Sequence, residues 1–290
     1  MVQRNKVKIA LIQMKAEPSP ELNLVKAIQK VKEAAKRGAQ IISLQELYRT
    51  PYFPQTKNSK NFRLAEPISG ITTAVFRQIA RKLQVVIITP IFERTSSKRF
   101  HNTAVVINAD GSMAGVYRKM HLPNDPCFYE KFYFKAGDLG FRVCKTRYGK
   151  IGVLICWDQW FPEAARILAL QGAQILFYPT AIGWFSKQSK RERHKEHTAW
   201  EVIQRAHAIA NGVYVASVNR VGREGKLEFW GSSFIAGPFG EIVAKANEAR
   251  EEIVMATCDL SKIGKVRKNW PFLRERSTDA YQGLTRRYSQ

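Results

Sequence analysis

The chain has 290 residues, of which 47 are Lys or Arg and 24 are Asp or Glu, so its formal net charge is +23. A hydrophobic share of 45% and an aromatic share of 11% are typical of a globular protein and exclude disorder over most of the chain. No apolar run approaches the roughly 20 residues that a transmembrane helix needs, and the polar start at 1–6 does not resemble a signal peptide. We therefore expect a soluble, cytoplasmic protein.

Apolar strands alternate with amphipathic helices along the chain. The first strand is predicted at 7–14. A helix follows that begins at Ser19-Pro20-Glu21 and ends at Gly38, because a polar cap, an early proline and an early acid are typical of helix starts. Further helices are predicted at 72–83, 162–171 and 196–211, and further strands at 39–44, 85–91, 103–108, 113–117, 150–155, 174–178, 213–218, 232–236, 241–246 and 252–257. This alternation predicts an α/β protein with helices layered over sheets.

The chain shows no sign of division into domains. It has no Pro/Gly/Ser-rich linker and no repeat of fixed period, so a single domain over 1–290 is predicted, with its core at about 7–260. Segments 48–66 and 122–139 are long and rich in aromatic, proline and polar residues. Loops of this kind often carry active-site residues.

The four cysteines are Cys127, Cys144, Cys156 and Cys258, and their wide spacing favours neither a disulfide framework nor a zinc site. Cys156 differs from the others because it directly follows a predicted strand and shortly precedes a helix. Helix N-terminal amides at such a corner favour a thiolate, and the backbone amides of Cys156 and Trp157 are free to bind an oxyanion. These features fit a nucleophile and a buried core cysteine equally well.

A thiol nucleophile needs a base, and the residues offer several. No histidine pattern resembles a papain-type site, although His121 is the most suggestive of the five. Glu46 follows the apolar run 41–45, and Lys119 follows strand 113–117, so both lie where α/β sheets place functional groups. Taken singly, Glu46 also fits a solvated acid in a loop, and Lys119 also fits a lysine on the surface.

Together, three segments resemble the nitrilase, or carbon–nitrogen hydrolase, superfamily, whose members use a Glu-Lys-Cys triad. The segments are SLQEL at 43–47, YRKMHLP at 117–123 and GVLICWD at 152–158. The resemblance extends from Val7 to about Tyr281. It implies a four-layer α-β-β-α sandwich with a triad of Glu46, Lys119 and Cys156. It also implies a fourth catalytic residue, Glu130 within 128–134, which holds the lysine.

The resemblance implies a cysteine-dependent amidohydrolase that uses no metal and no organic cofactor. Glu46 takes the thiol proton, and Cys156 attacks a carbonyl or carbamoyl carbon. Lys119 and the backbone N–H of Trp157 stabilise the oxyanion, after which Glu46 activates water.

Further segments resemble the branch of this superfamily that hydrolyses N-carbamoylputrescine to putrescine, CO2 and ammonia. These segments are 125–134, 156–166, 178–183 and 229–234. The resemblance implies aromatic substrate contacts at Tyr52, Phe128 and Trp157. Where plant-type members have an acidic stretch, this chain has Trp184 and Phe185, whose rings offer a cation–π contact of about 0.5–2 kcal/mol to a cationic tail.

The basic segment 187–195, which follows these aromatic residues, is predicted to be a loop, and it leaves the substrate's charge open. The positive charge suits an anionic substrate, such as N-carbamoyl-β-alanine or the substrate of another omega-amidase. The four segments that resemble the N-carbamoylputrescine branch favour N-carbamoylputrescine instead. A nucleic-acid-binding protein is the non-enzyme alternative. We do not expect it, because zinc-finger spacing, an RNP-like motif and a helix-turn-helix are all missing from the sequence.

The resemblance also implies self-association. Members of the superfamily commonly form dimers through helices beside the nucleophile and exchange their C-terminal tails. The segment 274–281 resembles such a tail. We therefore expect at least a homodimer, with 261–290 in the subunit contacts.

Overall fold

The computed structural model describes residues 5–286 of the chain. Residues 1–4, in the predicted polar start, and 287–290, at the end of the predicted tail, lie outside the described residues.

The strands number fifteen within 5–286. They are β1 Lys6–Gln13, β2 Ile41–Leu44, β3 Val86–Arg94, β4 Phe100–Ile107, β5 Met113–Arg118, β6 Cys144–Thr146, β7 Gly149–Val153, β8 Ile175–Pro179, β9 Gly183–Phe185, β10 Tyr214–Val218, β11 Val221–Glu224, β12 Leu227–Trp230, β13 Phe234–Ala236, β14 Ile242–Lys245 and β15 Glu252–Asp259.

Residues 5–286 also contain six α-helices and four short 3-10 helices. The α-helices are α1 Pro20–Lys36, α2 Ile71–Leu83, α3 Glu130–Tyr133, α4 Pro162–Leu170, α5 Lys190–Asn211 and α6 Ser261–Asn269. Short 3-10 helices occupy Phe53–Gln55, Ser59–Leu64, Cys156–Trp160 and Thr278–Thr285.

Two six-stranded sheets form the centre of the molecule. Their strand orders are β15-β1-β2-β3-β4-β5 and β14-β13-β10-β8-β7-β6, and a three-stranded sheet, β11-β12-β9, lies apart from them. In the first sheet β1, β2 and β3 run parallel, and in the second β7, β8 and β10 run parallel. Parallel strands bring their carboxyl ends to one edge of each sheet.

The apolar clusters show how the sheets and helices are layered. One apolar cluster joins the facing sides of the two sheets, with Leu11 and Val86 from the first and Leu176 from the second, and it continues to α4 and α5. A second cluster joins the outer side of the first sheet to α1 and α2, through Ala27 and Phe76. The order of layers is therefore helix, sheet, sheet, helix, which confirms the predicted α-β-β-α sandwich.

Local signals in the sequence set the helix starts. The Ser19 hydroxyl accepts a hydrogen bond from the backbone N–H of Leu22 at the start of α1. Helix α5 begins at Lys190, six residues before the predicted start, because Ser189 and Glu192 form a capping box. The prediction of a basic loop at 187–195 was therefore wrong, since most of that segment is the first turns of α5.

The short elements were not predicted. Strands β6, β9, β11 and β12 have three or four residues each, too few to show a periodic pattern. The long segments 48–66 and 122–139 contain 3-10 turns and α3, and they pack against each other where the Phe53 ring meets Tyr133 and Phe134. Phe92 of β3 packs against the same rings.

Candidate active site

Three ionisable side chains meet in a fully buried cluster. Lys119 follows β5, Glu46 follows β2 and Glu130 begins α3. The Lys119 ammonium donates to Glu46 Oε1 at 2.8 Å and to Glu130 Oε2 at 2.6 Å, and none of the three side chains is exposed to solvent. The structure thus brings together three of the four residues for which catalytic roles are predicted.

Electrostatics keep Lys119 charged in this buried place. Burial alone would lower the pKa of Lys119, but the carboxylates of Glu130 and Glu46 more than offset it and raise the pKa above its ordinary value. Burial raises the pKa of Glu130 to about 7, and the Lys119 charge opposes that rise. The cluster can therefore exchange protons near neutral pH.

Cys156 lies at the sharp turn that links β7 to a 3-10 helix. Its φ of 44° is left-handed, which is strained for a residue with a side chain. The thiol is buried, with Sγ 3.8 Å from the carbonyl oxygen of Ala181. Burial, followed by the negative charge of Glu46, holds the pKa of the thiol well above its ordinary value, and Lys119 opposes this shift. A base beside Cys156 would therefore assist removal of the thiol proton.

Glu46 has one oxygen available for that task. Its Oε1 accepts hydrogen bonds from Asn102 Nδ2 at 2.7 Å and from Lys119. Its Oε2 is buried and, within residues 5–286, has no hydrogen-bond partner. This oxygen is therefore free to accept a hydrogen bond or a proton from a neighbouring group.

Asp158 links the cysteine turn to the lysine segment. Its carboxylate accepts from the backbone N–H of Ile155 at 2.8 Å and from the Tyr117 hydroxyl at 2.8 Å. It also lies 3.0 Å from the backbone nitrogen of His121 and 2.7 Å from its Nδ1. The His121 ring stacks on Phe161 with centroids 3.6 Å apart. His121 thus supports the turn through Asp158, a connection that sequence reasoning missed.

A cavity of about 400 Å³ opens beside Cys156 and Trp157. Its walls are mostly apolar, and five of the 14 lining residues are aromatic, among them Phe128 and Phe185, two of the predicted substrate contacts. Two carboxylate residues, Asp125 and Glu196, also line the cavity, and neither Lys nor Arg is among the described residues that line it.

Tyr52 and Trp184, two further residues predicted to contact substrate, are not among the residues that line the cavity. The Tyr52 ring packs under Phe128 with centroids 5.7 Å apart, and its hydroxyl donates to Glu130 Oε1 at 2.7 Å. Trp184 faces Trp230 at 5.1 Å, and its Nε1 donates to the carbonyl oxygen of Arg193. In the structure Tyr52 and Trp184 thus contact other parts of the protein, and their contact with substrate stays a prediction.

The basic segment also lies outside the lining. Arg193 is paired with Glu228 at 2.8 Å and donates to the carbonyl oxygen of Ser186 at 2.9 Å. Lys187 and Lys195 do not contribute to the cavity surface either. The positive residues of this segment, which left the charge of the substrate open in the sequence, are therefore absent from the cavity lining.

Between residues 5 and 286, no group of three or more His, Cys, Asp or Glu side chains is arranged to hold a metal ion. In the same part of the chain, no helix is long and apolar enough to cross a membrane.

Comparison with known proteins identifies the fold and its chemistry. The Carbon-nitrogen hydrolase family model matches residues 8–268. The chain belongs to the carbon–nitrogen hydrolase family. This confirms the resemblance found in the sequence, and it makes the chain an enzyme that hydrolyses carbon–nitrogen bonds.

Individual relatives cover nearly the whole chain. An N-carbamoylputrescine amidase from Oryza sativa subsp. japonica is 42% identical over 97% of this chain and 95% of its own length. A citrullinase from Francisella tularensis subsp. tularensis is 38% identical over 97% of this chain and 99% of its own length. The crystal structure of a carbon–nitrogen hydrolase from Helicobacter pylori G27 matches with a TM-score of 0.95 and 45% identity, covering 98% of this chain and 100% of that one.

Proposed function

We propose that this carbon–nitrogen hydrolase converts N-carbamoylputrescine and water to putrescine, CO2 and ammonia. The similarity to plant N-carbamoylputrescine amidases over nearly the full chain supports this substrate. The observation that supports the proposal most strongly is the cavity beside Cys156. Its aromatic side chains and two carboxylates suit a substrate with an apolar chain that ends in an ammonium group.

In the proposed mechanism, Glu46 starts the reaction. Its unpaired Oε2 takes the proton of the Cys156 thiol, and the sulfur attacks the carbonyl carbon of the ureido group. The negative charge that develops on the carbonyl oxygen is stabilised by the Lys119 ammonium and by the backbone N–H of Trp157. That N–H lies in the first turn of a 3-10 helix, where no intrahelical carbonyl is available to it.

The leaving group is the terminal nitrogen. Glu46 passes its proton to that nitrogen, ammonia departs, and the alkylcarbamoyl group stays on Cys156 as a thiocarbamate. Glu46 then takes a proton from water, the hydroxide adds to the carbonyl carbon, and the thiolate leaves and is reprotonated. The released carbamic acid loses CO2 to give putrescine. Glu130 holds Lys119 throughout, and no step needs a cofactor.

A substrate with a carboxylate tail, such as N-carbamoyl-β-alanine or that of another omega-amidase, is disfavoured in this proposal. Its negative end would lie in a cavity that contains Asp125 and Glu196 and receives no Lys or Arg from the described residues around it.

The test is a comparison of substrates with the wild-type enzyme. Steady-state release of ammonia is measured with N-carbamoylputrescine and with N-carbamoyl-β-alanine, and putrescine is identified as the second product. We expect a higher kcat/KM for N-carbamoylputrescine. A higher value for N-carbamoyl-β-alanine would overturn the proposed substrate.

We also propose that residues 1–290 form one domain, with its core at about 7–260, that assembles as at least a homodimer in the cytoplasm. Ile167 and Leu170 on α4 are exposed, as are Phe272 and Leu284 of the tail, and tail residues border α4 at Arg166. Exposed apolar surface of this kind marks an interface. Sedimentation at micromolar concentration should give a dimer or larger, and a monomer would contradict the assembly.

The proposed cytoplasmic location is supported by the four cysteines, which are free, as suits a reducing compartment.

A further inference from the structure

A fully buried arginine lies behind the turn that carries Glu46. Arg220 follows the end of β10 and has no exposed surface, which is rare for arginine. Its Nη2 donates to the backbone carbonyl oxygens of Glu46 at 3.0 Å and of Leu47 at 2.9 Å. Arg220 therefore acts on the backbone of the turn, while the Glu46 carboxylate stays free for Lys119 and for the thiol proton.

The turn needs such support. Leu47 has a φ of 47°, in the left-handed region that leucine rarely adopts. Strained residues of this kind persist only where their surroundings hold them. Both Leu47 and Glu46 are buried, and the guanidinium bonds to their two consecutive carbonyl groups fix the direction in which the Glu46 side chain leaves the backbone.

The partner of Arg220 extends this support to Glu130. Arg220 Nη1 donates to both carboxylate oxygens of Glu224, at 2.9 and 2.8 Å. Glu224 Oε2 in turn accepts from the backbone N–H of Tyr52 at 2.6 Å, and the Tyr52 hydroxyl donates to Glu130. The pair thus holds the backbone segments that position both carboxylates beside Lys119.

We propose that Arg220 and Glu224 are positioning residues for the reaction. They are not among the residues that line the cavity, and they hold Glu46 in place for proton transfer and, through Tyr52, Glu130 in place against Lys119. Misplacement of a catalytic group by about 1 Å can cost roughly 100-fold in rate, so loosening this turn should act on the chemical step.

A purely structural role makes a different prediction. A buried ion pair is often replaced by apolar side chains of similar volume without loss of stability, whereas removal of one partner leaves an unpaired buried charge. Replacing both residues therefore separates stability from catalysis. Arg205 and Glu201 on α5 form a matched pair with the same spacing in sequence, away from the cavity lining.

The experiment compares Arg220→Met/Glu224→Leu with Arg205→Met/Glu201→Leu and the wild type, using any amide that the wild type hydrolyses. We expect the Arg220 double variant to unfold within a few degrees of the wild type, with kcat reduced roughly 100-fold and KM within about threefold. The Arg205 double variant should keep its kcat.

A second readout needs no substrate. The rate at which iodoacetamide alkylates Cys156 is followed against pH, since it reports how well Glu46 accepts the thiol proton. We expect the profile of the Arg220 double variant to shift to higher pH. If that variant does not fold, Glu224→Gln, which keeps the side-chain shape, is measured instead and should lower kcat in the same way. A folded variant with wild-type kcat and an unshifted profile would overturn the proposal. Because alkylation is independent of the substrate, this outcome is distinct from a failure of the proposed substrate.

Discussion

The ammonium of Lys119 donates a 2.6 Å hydrogen bond to Glu130, and neither side chain is exposed. A second carboxylate, Glu46, accepts from the same ammonium at 2.8 Å. The two carboxylates oppose a negative charge on the Cys156 sulfur, whereas the Lys119 ammonium favours it. Lys119 therefore lowers the cost of moving the thiol proton from Cys156 to Glu46.

Substitution of the nucleophile should abolish turnover. Cys156→Ala removes the sulfur that lines the cavity and lies within the influence of the Glu46 and Lys119 charges, so kcat/KM should fall on the order of 10³-fold or more. Cys127→Ala is the matched control, because Cys127 is also buried and also has a positive φ. It should keep its activity. Steady-state ammonia release measures both, and an active Cys156→Ala enzyme would exclude the mechanism.

Glu130 should give the activity a pH dependence near neutrality. Its pKa is raised to about 7 by burial, and both Lys119 and Tyr52 donate to it, so the ionised form makes these bonds. Activity should therefore rise as pH increases through about 7. Glu130→Gln should lower kcat and remove this limb of the pH–rate profile. If Glu130→Gln keeps the same rise of activity with pH, a group other than Glu130 is responsible for it.

The same shift should appear in stability. A carboxyl group with a raised pKa binds more protons in the folded state than in the unfolded state between its ordinary value of 4.5 and about 7. The free energy of unfolding should therefore decrease as pH rises through this window. Denaturant titrations of the wild type and Glu130→Gln measure it. The variant should show a smaller decrease, and equal slopes would contradict the buried, titrating carboxyl.

Tyr52 should affect catalysis without contacting substrate. Tyr52→Phe removes the 2.7 Å hydrogen bond to Glu130 and keeps the packing under Phe128. A hydrogen bond to a charged group contributes about 1.5–3 kcal/mol, so kcat should fall roughly 10- to 100-fold with little change in KM. A large increase in KM at constant kcat would instead restore the direct substrate contact that the sequence suggested.

The carboxylates that line the cavity should select the substrate's charge. Asp125→Asn/Glu196→Gln keeps side-chain size and removes two negative charges. The kcat/KM for N-carbamoylputrescine should fall roughly tenfold, whereas that for neutral butyramide should stay within about twofold. Glu33→Gln, an exposed acid on α1, is the control and should change neither value. An equal loss on both substrates would show that these residues do not select charge.

Salt provides a second test of the same carboxylates. Both residues are exposed, so added salt should screen them. The kcat/KM of the wild type for N-carbamoylputrescine should decrease with ionic strength, and that of the double variant should depend on it less.

The apolar patterns predicted an α/β protein and placed Glu46, Lys119 and Cys156 after strands, where functional groups often lie. The four-layer sandwich and the grouping of Glu46 and Glu130 around Lys119 were predicted from the family resemblance, since each residue taken singly left its role open. The capping box of Ser189 and Glu192 was also readable, although the helix it starts was predicted six residues late.

Other parts of the site could not be predicted from local pattern. Arg220 and Glu224 resemble surface charges in the sequence, and only the fold brings them against the Glu46 turn, 174 residues away along the chain. The same is true of Glu196, which directly follows the basic segment 187–195 and lines the cavity, although no Lys or Arg of that segment does. Burial and long-range contact decide these roles, and neither is visible in a run of residues.

The most direct test of the account is the mass of the intact enzyme during turnover. Rapid acid quenching of wild-type enzyme mixed with N-carbamoylputrescine, followed by mass spectrometry of the protein and its peptides, should reveal an alkylcarbamoyl group attached to Cys156. Cys156→Ala should gain no mass under the same conditions. An enzyme that releases ammonia at the full rate while Cys156 stays unmodified at every quench time, or that carries the adduct on another residue, would contradict the mechanism.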